Sequence, residues 1–152
     1  MDLYDEFTAL LGALEAKQVD YAVCGGLAMA IHGLPRATID VDLLIPQAAL
    51  GMAVACANDL GYTIPADPMR LAGGAVEIRR VTKIDASSHD RLSLDLLLVT
   101  PAVEQVWKDR IRVRWDLGEL WVVSRQGLAS LKRLRGSGQD LDDIKHLEGE
   151  ES

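Results

Sequence analysis

Cysteine is scarce in this chain of 152 residues: there are two, Cys24 and Cys56, each in apolar surroundings and without C-x-x-C spacing. A disulfide scaffold and a thiolate zinc site are both disfavoured on that count. Two buried free thiols in a cytoplasmic protein are the expectation. Histidine is thin as well, and His32, His89 and His146 are too scattered for a histidine-based metal site. Apolar runs such as Leu96–Val99 are far shorter than the roughly 20 residues of a membrane-spanning helix. No signal peptide is expected, because Asp2, Asp5 and Glu6 stand where its positive region would belong. Positive charge is in deficit overall: 16 Lys and Arg against 23 Asp and Glu give a net charge of −7. That argues against a general nucleic-acid coat, which needs a basic face. It leaves room for a metal-dependent enzyme, whose clustered carboxylates are offset by the ion.

What is present is ordinary globular material, 49% hydrophobic and 26% charged. The length suits one domain, expected as a core over about residues 1–123 with a helical tail over about 124–149. No internal repeat or low-complexity tract occurs. Leu3, Phe7, Leu10, Leu11 and Leu14 keep helical spacing and predict a helix over 3–17. Val19–Cys24 reads as a strand ending at Gly25-Gly26, and Leu27–His32 as a short helix stopped by Gly33 and Pro35. Ile39–Ile45 is a strand, 47–60 a helix closed by Gly61, and 62–73 a loop. Ala75–Ile84 and Arg91–Val99 are two strands, and a short helix opens at Pro101. A hairpin is expected around 116–118, then a helix capped by Ser124 and a last helix over about 139–148. The class is mixed α/β, with helices flanking a sheet.

The informative segment is Tyr21–Ile45, YAVCGGLAMAIHGLPRATIDVDLLI. Strand side chains alternate, so Asp40 and Asp42 share one face while Ile39, Val41 and Leu43 take the other. Two charges in an apolar strand are costly unless paired or bound to metal. Hard oxygen donors of this kind suit Mg²⁺, which binds through one or two carboxylates plus phosphates. The bland alternative is a solvated sheet face. Gly25-Gly26 permits an unusual turn, with a positive φ expected at Gly26, and close approach of a ligand to the backbone. The helix start that follows offers free N–H groups to a phosphate; the alternative is a tight turn without a ligand. Asp95, in LSLDLLLV, is a third lone charge in an apolar strand. Beside Ile39–Ile45 it would complete an acidic cluster able to hold two metals; otherwise it pairs with an arginine.

These parts together resemble the nucleotidyltransferase superfamily related to DNA polymerase β. Its pattern is a Gly-Gly or Gly-Ser turn, a short helix, h-D-h-D on the next strand (h, hydrophobic) and a later h-D-h. Here those parts are Gly25-Gly26, Ile39-Asp40-Val41-Asp42 and Leu94-Asp95-Leu96. The stretch GGLAMAIHGLPRATIDVDL is similar to bacterial small nucleotidyltransferase-like proteins, including the AbiEii toxin-type group. The resemblance implies catalytic and metal-binding roles for Asp40, Asp42 and Asp95, with Mg²⁺ or Mn²⁺ as cofactor. It implies nucleotide contacts at Gly25, Gly26, Leu27, Arg36, Thr38 and Lys132. Leu27 stands where many active members have a serine. Arg36 and Thr38 either reach a phosphate or fix their loop. Lys132, in the basic stretch Lys132–Arg135, either meets a triphosphate or lies on a solvated face paired to Asp140, Asp142 or Asp143.

The implied reaction is transfer of a nucleoside monophosphate from an NTP to an acceptor hydroxyl on a small molecule, tRNA or protein, with release of pyrophosphate. A dimer mate or another protein is expected to complete the acceptor pocket. The alternative is a catalytically weak or inactive interaction protein of this fold, such as a toxin–antitoxin component. In that case Asp95 would turn away, or Leu27 and Met29 would plug the cleft. Glu77, Arg79 and Lys83 are expected on the wet face near the cleft, and His32 against the turn at Gly33.

Overall fold

The computed structural model describes residues 1–34, 40–116, 118–136 and 138–149, with the backbone alone for 138–142. Helix α1 (Leu3–Ala16) starts at Asp2, whose carboxylate accepts from the Asp5 N–H at 3.0 Å, and buries Phe7, Leu10, Leu11 and Leu14 as their spacing dictates. Strand β1 (Ala22–Cys24) runs straight into α2 (Gly25–Ile31), and β2 (Asp40–Ile45) precedes α3 (Leu50–Asp59). Then come β3 (Ile64–Pro65), β4 (Met69–Leu71), β5 (Val76–Ile84), β6 (Arg91–Leu98) and α4 (Glu104–Lys108). The chain continues through β7 (Ile111–Trp115), β8 (Gly118–Val122), α5 (Arg125–Arg135) and α6 (Gly138–Leu147).

The strands form one mixed sheet in the order β3-β5-β6-β2-β1-β8-β7, with β4 also pairing β5. Pairs β2–β6 and β1–β8 are parallel and the others antiparallel. This is the mixed α/β architecture anticipated from the sequence. Val41, Leu43, Ile45, Leu94, Leu96 and Leu98 make the centre of the sheet's inner face, all buried. Helix α1 covers that face, where Glu6 meets Lys83 at 2.8 Å and the Tyr62 hydroxyl at 2.9 Å. The 62–73 segment differs from the expected loop: it adds two short strands to β5, which pairs backbone groups along that strand. Pro65 is tolerated because β3 is a sheet edge. Both cysteines are free and buried. The His32 Nε2 lies 2.8 Å from the Val123 carbonyl oxygen, which ties the end of α2 to the end of β8. Trp115 packs on Phe7 edge to face at 5.6 Å. Among the described residues no helix is long and apolar enough to cross a membrane.

The C-terminal helices correct one expectation. The Ser124 hydroxyl caps α5 by accepting from the Gly127 N–H at 2.9 Å, and Gly136 ends it at φ +71°. Lys132 does not lie on a solvated face. Its Nζ meets the Asp143 carboxylate at 3.0 Å, with both side chains about 5% exposed, because α6 packs over that side of α5. Arg133 supplies the exposed pair instead, to Glu148. A buried pair is costly to break and cheap to replace whole. Lys132→Met alone should lower unfolding free energy by about 3–5 kcal/mol, and Lys132→Met with Asp143→Leu should recover most of the loss. Urea titration of the three proteins checks this; equal loss in the single and double variants would contradict it.

Candidate active site

Strand pairing places the acidic residues. Parallel β2–β6 sets Asp42 opposite Asp95 and Asp40 opposite Ser93. Antiparallel β5–β6 sets Arg80 opposite Asp95 and Thr82 opposite Ser93, and β1–β2 sets Cys24 opposite Asp42. Register partners share a face, so the outer face of the sheet carries three rows. One is polar: Asp40, Ser93 and Thr82, with the two hydroxyls 3.0 Å apart. The middle one is Cys24, Asp42, Asp95 and Arg80. The third is apolar: Leu44, Leu97, Ile78 and Met69. Helix α5 lies across this face, and a pocket of about 170 Å³ opens between them.

Within the middle row the charges are unevenly matched. The Arg80 guanidinium donates through Nε to Asp95 Oδ1 at 2.7 Å and through Nη2 to Oδ2 at 2.9 Å, the two-pronged geometry that makes such pairs strong. The bond to Asp95 raises the Arg80 pKa, so the arginine stays charged. Asp42 has no such partner among the described residues. Burial, then Asp95 and Asp40, push its carboxyl up to about 7, against the weaker opposing pull of Arg135 and Lys132. Burial, then Asp95, also raise Asp40. The Cys24 thiol is held well above its ordinary range by burial first and Asp42 second.

Gly25 explains how Asp42 fits. It takes φ +67°, and a Cβ there would overlap the Asp42 carboxylate oxygen. The left-handed residue is therefore Gly25 and not Gly26, which lies inside α2. The turn brings bare backbone against the carboxylate, where a side chain has no room.

Of the residues expected at the site, Asp40, Asp42 and Asp95 share one face, with Gly25 beside Asp42. Leu27 is turned into the core at 8% exposure. Leu27 and Met29 do not line the pocket, which instead opens onto Asp42 and Asp95. Arg36 and Thr38 lie outside the described residues. Lys132 lines the pocket, but its ammonium is committed to Asp143. The acidic cluster is also less complete than expected. Asp95 gives both oxygens to Arg80, and among the described residues no three of His, Cys, Asp or Glu are grouped to hold a metal. The reason is the β5–β6 hairpin, which puts a cation directly across from Asp95. Glu77, Arg79 and Lys83 belong to the opposite face, where Lys83 pairs with Glu6. Arg80 and Arg135 are the site residues that sequence reading missed. The signal for Arg80 was its phase: it shares a face with Ile78 and Thr82, and the hairpin's connection fixes its partner.

No family model and no curated protein matches the chain. Solved structures do. Over 95% of this chain and 95% of the other, it superposes on the lincosamide antibiotic adenylyltransferase LnuA in its lincomycin-bound form, with TM-score 0.61 and 15% identity. The antibiotic-resistance factor ANT(2'')-Ia matches over 97% of this chain and 84% of its own, with TM-score 0.62 and 14% identity. Its complex with adenylyl-2''-tobramycin gives TM-score 0.57 and 12% identity, over 92% of this chain and 84% of its own. The chain has the nucleotidyltransferase fold.

The Asp42 environment makes stability pH-dependent. Its carboxyl titrates near 7 when folded, against 3.8 as the ordinary value. Between these values the folded chain holds a proton that the unfolded chain has shed, so stability falls as pH rises through the window. Asp42→Asn removes that penalty. In metal-free buffer its Tm should exceed wild type above pH 7, and the gap should shrink toward pH 4. Thermal melts across that range check the sign; a gap independent of pH would remove the assignment.

Proposed function

We propose that this chain is a divalent-metal-dependent nucleotidyltransferase, moving a nucleoside monophosphate from a nucleoside triphosphate to an acceptor hydroxyl with release of pyrophosphate. The observation that carries the reading is the row Gly25, Asp42, Asp95: bare left-handed backbone against one carboxylate, with a second carboxylate in register beside it. That row sits in a fold whose known examples include adenylyltransferases.

Asp40 and Asp42 fit Mg²⁺ or Mn²⁺. They are hard oxygen donors two residues apart on one strand face, and burial first, then repulsion from Asp95, raises the proton affinity of both. Bound there, the ion would supply charge neutralisation to the triphosphate. The missing side chain at Gly25 lets the Asp42 carboxylate lie directly against the turn, so that an ion held there would sit close to backbone that phosphate oxygens can approach. Lys132 and Arg135 line the same pocket and set positive potential next to Asp42, which favours a polyphosphate even with Lys132 tied to Asp143. Asp95 faces the acceptor, its two oxygens aligned by the Arg80 fork. The acceptor oxygen bonds the α-phosphorus while the bond to the β-phosphate oxygen breaks. Pyrophosphate leaves with that electron pair, and Asp95 takes the hydroxyl proton. Most of the acceleration comes from positioning and fixed charge. The hold of Arg80 on both oxygens of Asp95 favours a second reading, a catalytically silent interaction protein of this fold.

Two variants separate the readings. Asp40→Asn with Asp42→Asn should abolish the rise in Tm that Mg²⁺ and a triphosphate give wild type through linkage. Asp95→Asn should keep that rise and lose roughly 10²-fold or more in transfer, measured by mass spectrometry of extract metabolites and macromolecules. Undiminished transfer by Asp95→Asn would remove the proton-acceptor role. Nucleotide binding without transfer by wild type to any acceptor would favour the silent module.

A further inference from the structure

The apolar row beside the carboxylates is unexplained by phosphate chemistry. Leu97 follows Asp95 by two residues on β6 and so projects from the same face about 7 Å along the strand. Ile78 is its register partner on β5, and Met69 is the partner of Ile78 on β4. Leu128 and Leu131 of α5 close the space from the other side, and Leu71 forms the rim at 42% exposure. Leu97 and Met69 are only half-buried, although Leu97 lies in a strand flanked on both sides. An apolar shelf left open next to convergent polar groups is the signature of a small-molecule site.

Charge narrows the ligand further. Among the described residues, the charged side chains lining the pocket are two acids, Asp42 and Asp95, and three bases, Arg80, Lys132 and Arg135. A polyamine would find no net negative lining. A polynucleotide end would meet a chain of net charge −7 outside a pocket of only about 170 Å³. We propose that the acceptor is a compact, uncharged alcohol with a hydrocarbon body, its hydroxyl at Asp95 and its body on the shelf of Met69, Leu71, Ile78 and Leu97. This deepens the transferase reading and rests on it for the hydroxyl's role, but the shelf itself is a matter of binding.

The test uses 3-phenylpropanol as probe, set against a polyamino sugar and a short RNA with a free 3′-hydroxyl. Binding to the full chain is read by calorimetry without metal, and transfer by mass spectrometry with Mg²⁺ and a triphosphate. The expected result is binding of the alcohol alone, weakened tenfold or more by Leu97→Asn and by Leu71→Asp. Triphosphate binding should stay within twofold in both variants. Leu71→Asp guards against misfolding, since that side chain is already partly in solvent. If the polyamino sugar or the RNA binds or accepts better than the alcohol, or the variants bind the alcohol as wild type does, the shelf assignment fails while triphosphate binding leaves the transferase reading standing. If the alcohol binds in a Leu97-dependent way but no triphosphate binds, the shelf stands and the transferase reading fails.

Discussion

The parallel pairing of β2 with β6 is the constraint on which the site depends. It holds Asp42 and Asp95 side by side at the spacing of neighbouring strands, about 4.8 Å. Two carboxylates that close repel, and burial denies them water. The fold compensates one and leaves the other. Arg80, across the β5–β6 ladder, neutralises Asp95 in two hydrogen bonds, while Asp42 keeps a raised pKa. The site therefore has a direction: a carboxyl of raised pKa toward the Gly25 turn and an arginine-paired one toward the apolar shelf.

The surrounding structure keeps that imbalance in place. The opposite face of the sheet is packed with aliphatic side chains under α1, so the strands cannot slip without turning leucines outward. Gly25 accepts a left-handed conformation that lets β1 enter α2 within contact distance of Asp42. Over the site, α5 is held by the Ser124 cap at one end and by the buried Lys132–Asp143 pair against α6 near the other. The field of Lys132, paired with Asp143, still reaches Asp42.

Much of the site was legible in one dimension because its signals are local. Asp40 and Asp42 alternate with buried residues, so the period of a strand puts them on one face. Asp95 is a lone charge among leucines, and Gly25-Gly26 follows a strand directly. The short strands in 62–73 were not legible, since two or three residues carry no period and β5 recruits them only after it has formed. The inward turn of Lys132 escaped for a related reason. A basic stretch on a helix reads as solvated until another helix covers it.

What the sequence by itself determined is which residues face together within each strand and helix, because that depends on backbone periods of 2 and 3.6 residues and on nothing else. From this came the mixed α/β class, the acidic pair, the cap at Ser124 and the resemblance to nucleotidyltransferases. Tertiary structure alone decided which strand lies beside which and in what register. Those choices made Arg80 the partner of Asp95, left Asp42 without such a fork among the described residues, and set Leu97, Ile78 and Met69 in a row. Register is fixed by the packing of a whole sheet face, where a slip of one residue would expose every buried side chain of a strand, and no segment read alone contains that sum.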